Sequence, residues 1–114
     1  MKLIEIAHFT DNVDGMAAFY RALLDRDPVA ASPDMAIFME GDVKVFIHKT
    51  YEPGEGELPP ENHHAYRVAD VDAVCRALAE KGVQVEREPQ DYYWGRSAYL
   101  RDPDGNLIEL TQGT

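Results

Sequence analysis

Residues 63–72 read His63-His64-Ala65-Tyr66-Arg67-Val68-Ala69-Asp70-Val71-Asp72, and the change of rhythm inside this stretch decides the fold. Residues 63–68 carry aromatic and β-branched side chains in the pattern of a short strand. Asp70 then offers a side-chain oxygen to cap a helix. Val71, Val74, Cys75 and Leu78 follow at i, i+3, i+4 and i+7, one apolar stripe of a helix. Lys81-Gly82 closes that helix, with Gly82 able to take the left-handed conformation. Beyond it, strands are predicted near 83–88, 96–101 and 107–111. The last two are joined by Asp102-Pro103-Asp104-Gly105, a strong turn sequence.

The same order appears upstream. Residues 3–10 (LIEIAHFT) form a strand pattern, Asp11, Asn12 and Asp14 supply capping groups, and Val13, Met16, Ala17, Tyr20, Leu23 and Leu24 make a helical stripe. Pro28 ends the helical region, and strands at 35–40 and 43–49 flank a Glu40-Gly41-Asp42 turn. Glu5-Ile6-Ala7 precedes Val13-Asp14 by the same distance that His63-His64-Ala65 precedes Val71-Asp72, an internal repeat offset by 63 − 5 = 58 residues. Between the copies, residues 51–61 (YEPGEGELPPE) hold three prolines, two glycines and four glutamates, which excludes a regular element. The expected organisation is one α+β domain over 1–114, with module one at 1–50, a linker at 51–61 and module two at 62–114. One such unit is too small to cover both faces of its own sheet, so two must pair, within a chain or between chains.

Composition narrows the function classes. Twenty-one acidic residues against 11 basic give a formal net charge of −10, which repels a phosphate backbone and argues against nucleic acid as a partner. No apolar run approaches the length of a membrane span, and the opening MKLIEIAHF enters a strand pattern directly, so the expectation is no membrane and a cytoplasmic location. The single cysteine, Cys75, excludes an internal disulfide and reads as a small buried hydrophobe of the second helix.

Strand alternation sorts the polar residues. In the first strand Leu3, Glu5, Ala7 and Phe9 share a face opposite Ile4, Ile6 and His8. Ile4 and Ile6 belong against the helix, so Glu5 points away from it. In the matching strand His63, Ala65 and Arg67 share a face, and the repeat makes Glu5 and His63 equivalent. In the last strand Glu109 faces away from Ile108 and Leu110. Glu5, His63 and Glu109 are therefore candidate ligands on one sheet surface. Two carboxylates and an imidazole suit a divalent cation such as Zn, Mn, Ni, Fe or Co, and three protein ligands leave positions open for water or substrate. Taken singly, a strand Glu is usually solvated and a strand His usually a satisfied packing residue; the shared phase makes the joint case.

The segment 63–72 resembles the "H-x-A-F-x-V-x-D-[VL]-D" opening of a vicinal oxygen chelate module. The segment 99–110 resembles the closing "F-x-D-P-D-G-N-x-x-E-L" hairpin, and Phe19-Tyr20-Arg21-Ala22-Leu23-Leu24 the "F-Y-x-x-x-L" helix of a first module. The likeness to this superfamily of glyoxalases, bleomycin-resistance proteins and extradiol dioxygenases spans nearly the whole chain. It implies two βαβββ modules forming a cupped mixed sheet, and metal ligands at the His63 and Glu109 positions and on the first strand at Glu5. Many relatives have His at the last of these. A fourth family ligand would fall on Val45 or Phe46, depending on register, and neither binds metal. His48 lies nearby but is expected out of phase.

The resemblance implies a metal-dependent enzyme of glyoxalase-like lyase, isomerase or dioxygenase type. It would act on a small molecule with adjacent oxygens through oxyanion stabilisation, with Glu5 or Glu109 as general base. It equally includes metal-free bleomycin-resistance-like proteins that sequester a ligand on an aromatic surface. Phe9, Tyr93, Trp94, Arg67 and Arg96 are the pocket candidates. The Tyr92-Tyr93-Trp94 cluster reads either as a stacking wall or as rim packing, and the two arginines either as anion partners or as surface charge. Family members often pair modules across chains, so a homodimer is expected.

Overall fold

The computed structural model describes residues 1–113. Its elements in chain order are β1 (Lys2–Thr10), α1 (Val13–Leu24), β2 (Ala30–Ser32), β3 (Met35–Glu40), β4 (Val43–Lys49), β5 (His63–Arg67), α2 (Val71–Glu80), β6 (Val85–Tyr92), β7 (Gly95–Arg101) and β8 (Leu107–Thr111). Two helices and a mixed eight-stranded sheet make an α+β fold. The chain divides into two compact units. One is Glu5–Asn62; the other joins Met1–Ile4 to the residues from His63 onward. The division thus falls inside β1, between Ile4 and Glu5, and the 51–61 stretch goes with the first unit.

In the Glu5–Asn62 unit the strand order is β2-β3-β4-β1. β1 and β4 are parallel, with Glu5 opposite Lys44, Ala7 opposite Phe46 and Phe9 opposite His48. α1 begins where Asn12 Oδ1 accepts from the Gly15 amide at 2.9 Å, a cap worth about 1 kcal/mol. Its apolar stripe (Met16, Ala17, Tyr20 and Leu24) closes over buried Val13, Ala36, Phe38, Val45 and Ile47. The stripe selects one face of the sheet, so the opposite face keeps Glu5, Lys44, Phe46 and His48. His8 lies on the helix side, where its Nε2 is 3.2 Å from the Tyr20 hydroxyl.

The second unit repeats the plan. Its strand order runs β5-β8-β7-β6 from the opening residues of β1. β5 and β8 are parallel, with Ala65 opposite Glu109. Asp70 caps α2 by accepting from the Ala73 amide at 3.0 Å, and Gly82 follows the helix at φ +83. Val68, Val71, Cys75, Ala98, Leu100 and Leu110 form the core. Burial raises the Cys75 thiol's pKa, in keeping with a packing residue. The 102–105 turn is held by Asp102, which accepts from the amides of Asp104 and Asn106 and from the Asn106 side chain.

Three features depart from the sequence reading. β2 is a three-residue exposed edge (Ala-Ala-Ser) whose only signal is its pairing with β3. β6 runs to Tyr92 rather than ending at 88; Pro89 is tolerated because β6 is the last strand in the order and its register shifts around this region. The 51–61 stretch has no helix or strand, yet it is tied by its own contacts, the Tyr51 hydroxyl donating to the Leu58 carbonyl at 2.7 Å and the Gly54 amide to Glu57 Oε1 at 2.6 Å.

Candidate functional site

In the second unit, β5 and β8 bring His63 and Glu109 together. His63 Nε2 lies 3.3 Å from Glu109 Oε1, and the two side chains are only 12% and 6% exposed. Strand phase explains the meeting. Ile108 and Leu110 are on the α2 side, so Glu109 is turned to the other face, alongside Ser97, Tyr99 and Thr111. The second carboxylate oxygen is also engaged, since the Trp94 indole Nε1–H donates to Glu109 Oε2 at 2.9 Å. The same N–H is 3.0 Å from Ser97 Oγ, which lies 2.7 Å from Thr111 Oγ1.

Burial alone raises a carboxyl pKa, because the charged form loses water. Here that effect is outweighed by hydrogen bonds from His63, Ser97 and Trp94 and by the charge of His63, and the Glu109 carboxyl sits below its ordinary value. Glu109 is therefore a buried carboxylate, the form in which it can ligate a cation. The rings around it are ordered. Tyr92 and Trp94 stack with centroids 4.6 Å apart and planes within 4°, while Tyr99 meets both Tyr92 and His63 edge-on at 6.1 Å. The Tyr92 hydroxyl is buried with no hydrogen-bond partner among the described residues, and burial raises its pKa.

The remaining pocket candidates of this unit have other company. Arg96 forms a bidentate pair with Asp72 on α2 (2.7 and 3.0 Å) and a third bond to Asp91 at 3.0 Å. Those contacts, led by the Arg96 hydrogen bond, lower the Asp72 pKa and raise that of Arg96. The guanidinium thereby ties the β6–β7 hairpin to the first turn of α2. Arg67 Nε donates to the Gly113 carbonyl at 3.2 Å. Tyr93 is 98% exposed and meets Trp94 edge-on at 4.8 Å.

In the Glu5–Asn62 unit, half-buried Glu5 has Lys44 opposite it in register, with Nζ 3.8 Å from Oε1. Phe9 packs near His48 (5.9 Å) and Tyr51 (6.1 Å), and Phe46 near His48 (5.6 Å). The β1–β4 register makes Phe46 the counterpart of Glu109, because Ala7 faces Phe46 as Ala65 faces Glu109. It also corrects the expected phase of His48, which shares the face of Lys44 and Phe46. His48 Nδ1 is 2.7 Å from the Lys49 carbonyl.

The sequence reading did not single out Lys44, Ser97, Tyr99 or Tyr51, and it gave Thr111 a place on the Glu109 face but no role. Thr111 was within reach, two residues after Glu109 on the same strand. Lys44 was not, because its meeting with Glu5 depends on a register between strands some 40 residues apart.

A family model described as the Glyoxalase/Bleomycin resistance protein/Dioxygenase superfamily matches residues 2–110. The chain is 30% identical to the uncharacterized protein YraH of Bacillus subtilis, covering 96% of this chain and 97% of that one. It is 28% identical to metallothiol transferase FosB of Shouchella clausii, covering 96% and 80%. Among solved structures, methylmalonyl-CoA epimerase of Mycobacterium tuberculosis superposes with a TM-score of 0.71 at 20% identity, covering 99% of this chain and 88% of that one, a likeness of fold.

Proposed function

The chain belongs to the glyoxalase/bleomycin resistance/dioxygenase superfamily, and from that premise we propose a metal-dependent enzyme acting on a small molecule with adjacent oxygens. The proposed ligands are Glu5, His63 and Glu109, two carboxylates and an imidazole. The observation that carries this reading lies wholly within the second unit. An imidazole nitrogen and a carboxylate oxygen sit 3.3 Å apart and nearly buried. That donor set fits a borderline divalent cation.

A bound cation would supply Lewis-acid stabilisation to an oxyanion developing on the substrate. The chain's own residues do the rest. His63 and Glu109 would hold the cation, and Tyr99 and Tyr92 present ring surface beside them. Glu5 would act as general base when it is off the cation, taking a proton from the substrate, with the Lys44 ammonium beside it to balance its charge. A second reading, sequestration of an aromatic molecule without a metal, is favoured by one observation, the Phe9–His48–Tyr51 ring cluster on the face that carries Glu5. Homodimer formation belongs to the proposal. No helix among the described residues is long and apolar enough to cross a membrane.

Elemental analysis of protein purified without chelators tests the reading. The expected result is about one first-row divalent ion per chain, retained on dialysis and lost in His63→Ala. A metal-free wild type that takes up no Zn, Mn, Ni, Fe or Co would overturn it and leave sequestration as the account.

A further inference from the structure

We propose that Trp94 is a positioning residue for Glu109, pinning one carboxylate oxygen so that the other alone is presented as a ligand. This rests on the metal reading above and names a residue that the reading itself does not require. Indole is a donor only, so Trp94 cannot itself bind a cation; it can act only by holding an acceptor. Its N–H is 2.9 Å from Glu109 Oε2, while Oε1 is the oxygen beside His63 Nε2. A carboxylate with one oxygen engaged in this way ligates through the other. A carboxylate without that restraint can swing to grip a cation with both oxygens, occupying a position that substrate needs.

The surrounding chain is built to keep the indole where it is. The ring is stacked on Tyr92 at 4.6 Å. The following residue, Gly95, has φ +136, a backbone conformation closed to most side chains. A Cβ on Gly95 would come within 2.8 Å of the Gly113 backbone, and one on Gly113 would collide with the Trp94 carbonyl oxygen, so these two glycines let the hairpin and the residues after β8 lie against each other. Arg96 then fastens the hairpin to α2 through Asp72. A tryptophan serving only as rim packing would not need its N–H aimed at a buried carboxylate.

The test uses the full chain loaded with Co2+, whose visible absorption reports coordination number. Two variants remove the N–H, namely Trp94→Phe, and replacement of Trp94 by its benzothienyl isostere, which keeps the two-ring shape with sulfur in place of N–H. The isostere carries the test if the phenylalanine variant fails to fold. Loss of the N–H should weaken Co2+ binding by about 10–100-fold in equilibrium dialysis, the range for partners that orient metal ligands. It should also weaken the absorption per cobalt as Glu109 becomes bidentate. Binding within twofold of wild type with an unchanged spectrum, in the isosteric variant, would overturn the proposal and leave the metal reading standing. A wild type that binds no Co2+ would overturn both.

Discussion

The two modules place different chemistry on the same frame. Each has a capped helix on one face of its strands and a parallel pair between its first and last strands. Matching those pairs sets Phe46 against Glu109, His48 against Thr111, Ile37 against Tyr99 and Met35 against Ser97. On the face away from its helix, module two has a connected polar group running from His63 through Glu109 to Trp94, Ser97 and Thr111. Module one has rings and thioethers there, with Glu5 and Lys44 at one end. The helices differ as well. Phe19 and Leu23 on α1 are 57% and 62% exposed, whereas the 58-residue offset puts Ala77 of α2 and Lys81, the residue that follows α2, at the matching sites. The repeated frame thus carries two different faces, one suited to hold ionic ligands and one suited to apolar contact.

The strongest way to break this comparison is to give module one the carboxylate of module two. Phe46→Glu puts a charge on a face where His48 and Met35 stand at the positions that Thr111 and Ser97 hold beside Glu109. It should cost about 2 kcal/mol in urea unfolding, from lost apolar burial and poorly compensated charge. No change in stability would mean that the Phe46 ring is not part of a packed face.

A smaller effect separates the modules by pH. Asp72 and Glu109 both have pKa values below the ordinary carboxylate range, and both lie in module two. Their contribution to stability is present above that range and is lost as pH falls through their depressed folded values. Unfolding midpoints should therefore decline as the medium becomes more acidic than about pH 4, and Arg96→Met, which removes the partner of Asp72, should make the decline shallower. An unaltered slope would show that the Arg96–Asp72 pair does not couple folding to protonation.

Much of this was readable from local pattern. Asn12 and Asp70 were visible as caps, and simple alternation turned Glu109 away from Ile108 and Leu110. The Asp102–Asn106 turn was visible in its own residues. What stayed hidden depended on meetings between distant strands. β2 exists because β3 is beside it, and Pro89 is tolerated because β6 ends the strand order. The phase of His48 follows from the pairing of β4 with β1. Arg96 and Trp94 were visible as residue types able to bind a ligand. Their actual partners, Asp72 on a helix and Glu109 on another strand, follow from packing that no periodicity encodes.

The metal reading stands or falls with the paired His63 and Glu109 of the second unit, and the affinity of Glu109→Ala for a single divalent ion decides it. Titrated with Ni2+ beside wild type, this variant should bind more weakly by at least about 100-fold, beyond what loss of an orienting partner causes, with its folded structure retained by circular dichroism. Wild-type affinity in Glu109→Ala, with the fold retained, would contradict the reading.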